Sequence, residues 1–436
     1  MPAEVFMFID IMTKALRTAA LILVIVFLAS IAYAYDNVIY IWQRNWDSYL
    51  EDAISDIQNT TGYFTVLCGD LKFEGERPAV TLVDIKWPYL TQTETSATLA
   101  FRINTQASKF FATDTIYSIA DNIKDAIGKA IKSAPQNEIV GIQFDYDCPT
   151  SKLKDYARFV KIMKERLRPF KEKLSEFNIS ITALPTWLEN NDFKELIQAT
   201  DYYVLQLHSF ELPKDADQAN RIFPADKALS YAKKASDLKH PYYISLPTYG
   251  YEVAFTKDGD FVGLRAENMP VLWRQDIVRK VIMADPKEIL SFLQEIERNQ
   301  PKNLLGFYWF RIPLKSDEFN WDIKALKCVL SGQKPNVNFK LELVKPKDGL
   351  YEVYLVNSGE QNIFNEVSFE INWLEGSQPL YDLMERFNGV KLENGIRISG
   401  AAPYVGQKIL VGWFRSFDKT KNINLKIGEV NYNEDI

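Results

Sequence analysis

From Asn37 to Phe310, short apolar runs alternate with stretches whose apolar residues recur every three or four positions, the pattern of strand and helix taking turns around a parallel sheet. Eight runs predict strands: Val38–Trp42, Tyr63–Cys68, Ala97–Ile103, Ile139–Tyr146, Ile179–Leu184, Tyr202–Leu207, Tyr242–Leu246 and Leu304–Phe310. A further run, Val80–Trp87, is expected in an insertion between the second and third units. Leu153, Tyr156, Phe159, Val160, Met163, Leu167 and Phe170 make one helical stripe. Asp285, Pro286 and Glu288 predict another helix start, as cap, first-turn proline and capping-box acid. Eight strand–helix units in about 300 residues predict a (β/α)8 TIM barrel over 35–332. No glycine-rich phosphate loop follows the first strand, which argues against an open nucleotide-binding sheet.

After Ser331-Gly332-Gln333-Lys334-Pro335 the period drops to two, in runs such as Tyr351–Val356 and Val367–Trp373. The expectation for 336–436 is a small immunoglobulin-like β-sandwich with an accessory role. At the other end, Lys14 and Arg17 precede the uncharged stretch Thr18–Tyr35, which ends Ala32-Tyr33-Ala34. That predicts a secretory signal over 1–34, cleaved after Ala34. The same stretch is long enough to cross a bilayer of about 30 Å, so membrane attachment through residues 18–35 is the other reading. On both, the rest of the chain is exported, to the periplasm or beyond.

Composition narrows the chemistry. The 436 residues are 47% hydrophobic and 13% aromatic, enough for a packed core rather than a disordered polymer. A net charge of −6 without a long basic run argues against nucleic acid. Three cysteines and two histidines, none at ligand spacing, imply no metal site, and no organic cofactor is implied either. Cys148 reads as a buried thiol or as one half of a bridge to Cys68.

The most informative segment is Gln143-Phe144-Asp145-Tyr146-Asp147. On a strand, Gln143, Asp145 and Asp147 share one face and Ile142, Phe144 and Tyr146 the other. With the apolar face toward the helices, the acids stand at the strand's C-terminal end, where barrel enzymes keep their active sites. Carboxylates about 6.6 Å apart in a partly buried site do not both ionise cheaply, so one keeps its proton near neutrality. A protonated acid beside an ionised one suits glycoside cleavage. Pairing of the acids with a core arginine such as Arg102 is the structural alternative. Around them, Trp42, Trp46, Trp187, Tyr249 and Trp309 are candidate sugar platforms, and Gln43, Arg44, Gln143 and Gln206 candidate hydrogen-bonding contacts to the substrate, with Arg44 equally suited to a barrel carboxylate. His208 is a candidate titrating group or a structural donor. Glu211 and Glu252 are reserve acids.

The acidic strand resembles the D-G-x-D-x-D-x-E strand of chitinase-like, family-18 glycosidases, aligned on Gly141 to Asp147. The resemblance implies that Asp147 is the proton donor and that Asp145 orients the substrate, with Gln143 replacing the innermost acid. Ile244-Ser245-Leu246-Pro247-Thr248-Tyr249-Gly250 resembles that family's L-P-x-Y-G, and Trp309 its tryptophan under the sugar. Asp147 is one methylene shorter than the family's Glu, and Gln206-Leu207-His208-Ser209 lacks its M-x-Y-D. The chain also resembles the bacterial family known as domain of unknown function 3142, a glycosidase-like barrel. That likeness rests on Tyr40-Ile41-Trp42-Gln43-Arg44-Asn45-Trp46, Gln143 to Asp147, Leu184-Pro185-Thr186-Trp187, Gln206-Leu207-His208, and Phe310-Arg311-Ile312-Pro313 with Asp317. Together these imply a glycoside-hydrolase-like protein with a carbohydrate partner and no cofactor. The alternative is a non-catalytic glycan-binding or structural envelope protein that keeps the fold.

Overall fold

The computed structural model describes residues 35–61, 63–75, 77–90, 95–134, 138–174, 176–208, 221–266, 270–417 and 423–432. The expected signal or anchor segment, 1–34, lies outside the described residues, as do Ser209 and Glu211. Among the described residues no helix is long and apolar enough to cross a membrane.

Eight strands form the barrel: β1 (Asp36–Ile41), β2 (Tyr63–Glu74), β4 (Ser96–Ile103), β5 (Ile139–Asp145), β6 (Asn178–Ala183), β7 (Tyr202–Gln206), β8 (Tyr242–Pro247) and β12 (Leu304–Phe310). Every neighbouring pair is parallel, and the β1–β2 and β1–β12 pairings close the ring. Each strand meets one of the eight apolar runs. The connecting helices among the described residues are α1 (Ser48–Ile57), α2 (Thr115–Ser133), α3 (Leu153–Lys171), α4 (Asn191–Ile197), α5 (Ala225–Asp237), α6 (Pro286–Asn299) and α7 (Ile323–Leu330).

One helix of the expected set is replaced. Between β2 and β4 stand β3 (Arg77–Leu82), antiparallel to the end of β2, and one 3-10 turn, Trp87–Tyr89. Pro78 and Pro88 bracket this stretch, and proline in a helix interior removes a hydrogen bond and clashes with the preceding turn. At α6, Asp285 accepts from the Lys287 N–H as a cap should, but Glu288 turns away from the capping box and takes Arg221 and the Ala225 N–H. Between β8 and α6 lies a sheet the apolar pattern did not predict: β9 (Gly250–Phe255), β10 (Phe261–Ala266) and β11 (Val278–Met283).

The strand period of two separates two cores. One face packs against the helices and holds Ile142, Phe144, Tyr146, Trp187 and Trp309. The other fills the barrel with Val38, Tyr40, Trp42, Leu67, Ala100, Val204 and Tyr308. Cys68 and Cys148 are both buried and free, which corrects the bridge alternative. Desolvation pushes each thiol up to about 12, leaving neither a ready nucleophile.

The C-terminal region forms two antiparallel sheets. One holds β13 (Phe339–Lys347), β14 (Leu350–Asn357), β16 (Leu380–Leu383) and β19 (Lys408–Arg415). The other holds β15 (Glu366–Trp373), β17 (Phe387–Leu392), β18 (Gly395–Ala401), β20 (Leu425–Ile427) and β21 (Asn431–Tyr432). Both contribute to a separate core that includes Val353, Leu355, Phe369, Ile371 and Ile398.

Candidate active site

Inward-facing residues of the barrel lie in layers, because neighbouring parallel strands stay in register. In one layer Tyr40 donates to Oε1 of Gln143 at 2.6 Å, and Gln143 Nε2 donates to Ser180 Oγ at 3.3 Å. This sealed layer supports the next one outward, at the C-terminal strand ends. There an open cleft of about 280 Å³ is lined by Tyr40, Trp42, Arg102, Asp145, Asp147, Thr182, Gln206, His208, Ser245 and Phe310.

The two acids differ in setting. Asp145, partly buried, ends β5 and accepts from Thr182 Oγ1 at 2.8 Å and from Gln206 Nε2 at 3.4 Å, both at Oδ1. Burial, and then the charge of Asp147, push Asp145 up to about 7, against the Thr182 hydrogen bond and the charge of Arg102. Asp147 stands just past the strand and is exposed. Crowding by the cleft walls raises it as well, and Arg102 opposes this. Among the described residues no ion pair ties Arg102 to either acid, so its charge acts at range and the acids are not locked. Near neutral pH the pair therefore keeps a proton that a free aspartate would have released.

The other predicted residues divide. Trp42, Gln206 and His208 line the cleft with the acids. His208 contacts Tyr249 Oη through Nδ1 at 3.1 Å and Ser245 Oγ through Nε2 at 3.4 Å, and its ring stacks on Phe310 at 5.6 Å. Desolvation lowers His208 to about 4, so it is a neutral hydrogen-bonding wall at pH 7. Tyr249 stands behind it. Gln43 is tied to the Ile312 carbonyl at 3.2 Å. Arg44 takes the barrel-carboxylate role, gripping Asp70 through two bonds of 2.9 and 3.1 Å.

Four predicted contacts are corrected. Gln143 is fully buried under the cleft and is a support. Trp187 is fully buried among the helices, against Tyr156 and Phe193. Trp309 faces outward too, donating to Asn37 Oδ1 at 2.9 Å and packing on Trp321, because alternation along β12 gives the inward face to Tyr308 and Phe310. Trp46 likewise packs outward, near Tyr89. Of the reserve acids, Glu252 is held by Arg265 and by Trp273 Nε1 at 2.7 Å, outside the cleft. The Arg311–Asp317 pair, at 2.9 Å and nearly sealed, fixes the segment after β12. Thr182, Ser245 and Phe310 escaped the reading of the site, although the same inward alternation that selected Asp145 points to each of them.

Among solved structures, the chain is similar to the Bacillus cereus spore cortex-lytic enzyme SleL, at 14% identity over 69% of this chain and 75% of that one, with a TM-score of 0.48. It is similar to a chitinase from Chromobacterium violaceum at 14% identity, over 64% and 95% of the two chains, with a TM-score of 0.46. A chitinase-like agglutinin from Robinia pseudoacacia matches at 12% identity, over 63% and 94%, with a TM-score of 0.43. No curated protein sequence matches the chain. The family model described as domain of unknown function (DUF3142) matches residues 96–315, half of the chain and the part that carries both acids, and the protein belongs to that family.

Proposed function

We propose that the protein is an exported glycoside-hydrolase-like enzyme acting on a polysaccharide or glycoconjugate by carboxylic acid catalysis. The observation that carries this reading is the unlocked Asp145–Asp147 pair in an open cleft at the C-terminal end of a closed barrel, with its affinity for a single proton raised. The proton that Asp145 holds passes to Asp147, which at the solvent side donates it to the glycosidic oxygen as the C–O bond breaks. Asp145, ionised once the proton has gone, stabilises the positive charge on the sugar, and water then adds and returns a proton to the pair. Trp42 and Phe310 offer apolar walls to the pyranose ring, and Gln206 and Ser245 hydrogen bonds to hydroxyls. The C-terminal sheets act as an immunoglobulin-like accessory module, and residues 1–34 direct export.

Release of reducing ends from a panel of cell-wall and extracellular polymers tests the reading. Asp147→Asn should lower turnover by roughly 100- to 10,000-fold with binding retained. Turnover unchanged by that substitution refutes the assignment. Glycan binding with no turnover in the wild type places the protein among non-catalytic binders.

A further inference from the structure

We propose that the cleft is specific for a glycan bearing a carboxylate, such as a hexuronic acid unit, and that this carboxylate seats on the Arg102 guanidinium beside Asp145. The inference rests on the cleft being a sugar site and adds the class of sugar. Arg102 lies on β4, whose register sets it directly beside Asp145 on β5, and alternation turns it inward above Ala100. It lines the cleft and is exposed there.

Its neighbours explain why it is available. Three other arginines around the strand ends are engaged: Arg44 with Asp70, Arg311 with Asp317, and Arg265 with Glu252 and Glu318. Arg102 alone of these has no carboxylate within ion-pair distance among the described residues. Among the described residues it is also the one cation in the lining, because His208 stays neutral until about pH 4. The acid beside it does not need its charge, since Asp145 carries a proton up to about pH 7. Apart from Asp147 on the far side of Asp145 in sequence, the rest of the wall, Thr182, Gln206, Ser245 and the aromatic rings, is neutral and suited to hydroxyls and ring faces. A weakly hydrated, planar fork of donors at such a place matches a carboxylate in two parallel hydrogen bonds, a geometry that lysine does not offer.

The test is calorimetric titration of the whole protein at pH 7 with oligosaccharides of a hexuronic acid polymer and with the same oligosaccharides carboxyl-reduced, so that each carboxylate becomes a hydroxymethyl group. The wild type should prefer the carboxylated form by about tenfold or more, the worth of one charge-assisted bidentate contact. Arg102→Gln should bring the two forms within about twofold, and Arg102→Lys should keep part of the preference. Since Arg102 is exposed, both variants should fold, with near-UV dichroism as the check. Equal binding of the two forms, a preference that survives Arg102→Gln, tighter binding of a sulfated uronate-free oligosaccharide, or no binding of either form overturns the proposal. Its failure is separable from that of the hydrolytic reading. Asp147-dependent cleavage of a neutral glycan without carboxylate preference sinks this inference alone, whereas Arg102-dependent binding without cleavage sinks the other.

Discussion

Thr182 Oγ1 donates to Oδ1 of Asp145 at 2.8 Å across the β5–β6 pair. A hydrogen bond to a carboxylate oxygen favours the ionised form, so this hydroxyl restrains the upward push from burial and from Asp147. Thr182→Val keeps the shape and removes the donor. Asp145 should then titrate higher than about 7, by roughly one pH unit. Carbon-detected NMR of the aspartate carboxyls reads this directly, and any activity should extend its alkaline limb. A midpoint that stays or falls contradicts the account.

The same carboxyl links pH to stability. Its folded-state value of about 7 lies above its ordinary 3.8, so between those values the folded protein keeps a proton that the unfolded chain has released. The stability from this group is complete below about pH 4 and lost as pH rises through about 7. Asp145→Asn removes the ionisation while Oδ1 still accepts from Thr182 and Gln206. The variant should exceed the wild type by about 1–2 kcal/mol at pH 8, discounted for partial solvent access, and the gain should vanish near pH 4. Denaturant melts at the two pH values measure it.

Much of the barrel was legible because its signal is local. Each apolar run is a strand, and Asp145, Asp147, Trp42, Gln206 and His208 reach the cleft because strand alternation and a C-terminal position suffice to put them there. Trp187 and Trp309 were misread for the same physical reason as each other. An aromatic at a strand end suits the mouth or the helix layer equally: parity turns Trp309 outward on β12, and the 3-10 turn Pro185–Trp187 that follows β6 carries Trp187 into the helix layer. In the sheet of β9, β10 and β11, β9 and β10 form a hairpin around Lys257-Asp258-Gly259, whereas β11 pairs with β9 across more than twenty residues, and so distant a partner leaves no periodic mark of its own. Arg102 was visible as a charge, but its lack of an ion pair among the described residues belongs to three dimensions.

Asp70 is nearly buried, and Arg44, whose side chain is half exposed, is its partner. Removing the cation leaves a desolvated carboxylate, so Arg44→Met should destabilise by about 2–3 kcal/mol. Adding Asp70→Asn should restore much of this, because no charge is then left alone. A double-mutant cycle by urea melts checks the coupling, and additive effects of the two substitutions would show that the pair is not a unit.

Trp42 and Trp309 make opposite forecasts. Trp42 lines the cleft, so Trp42→Ala should weaken glycan binding by roughly 1–2 kcal/mol with a modest loss of stability. Trp309 is fully buried between β12 and Trp321, so Trp309→Ala should lower stability by about 3–5 kcal/mol. Where Trp309→Ala remains folded, in the cold, it should bind ligand as the wild type does. Selective loss of binding in that variant would return Trp309 to the cleft.

His208 supplies the acid side of the stability profile. Its folded value of about 4 lies below the ordinary 6.5, since the stacked Phe310 ring and the barrel wall exclude the water that the imidazolium needs. Its contribution is therefore complete above pH 6.5 and lost as pH falls toward about 4, the reverse of Asp145. His208→Gln keeps a donor and an acceptor near Tyr249 and Ser245 without an ionisation. It should flatten the acid-side fall in melting temperature and leave any pH–activity limb near 6.5 unmoved. The chain has only two histidines, so their ring protons should resolve by NMR, and a His208 midpoint near 6.5 would reassign it as the titrating group.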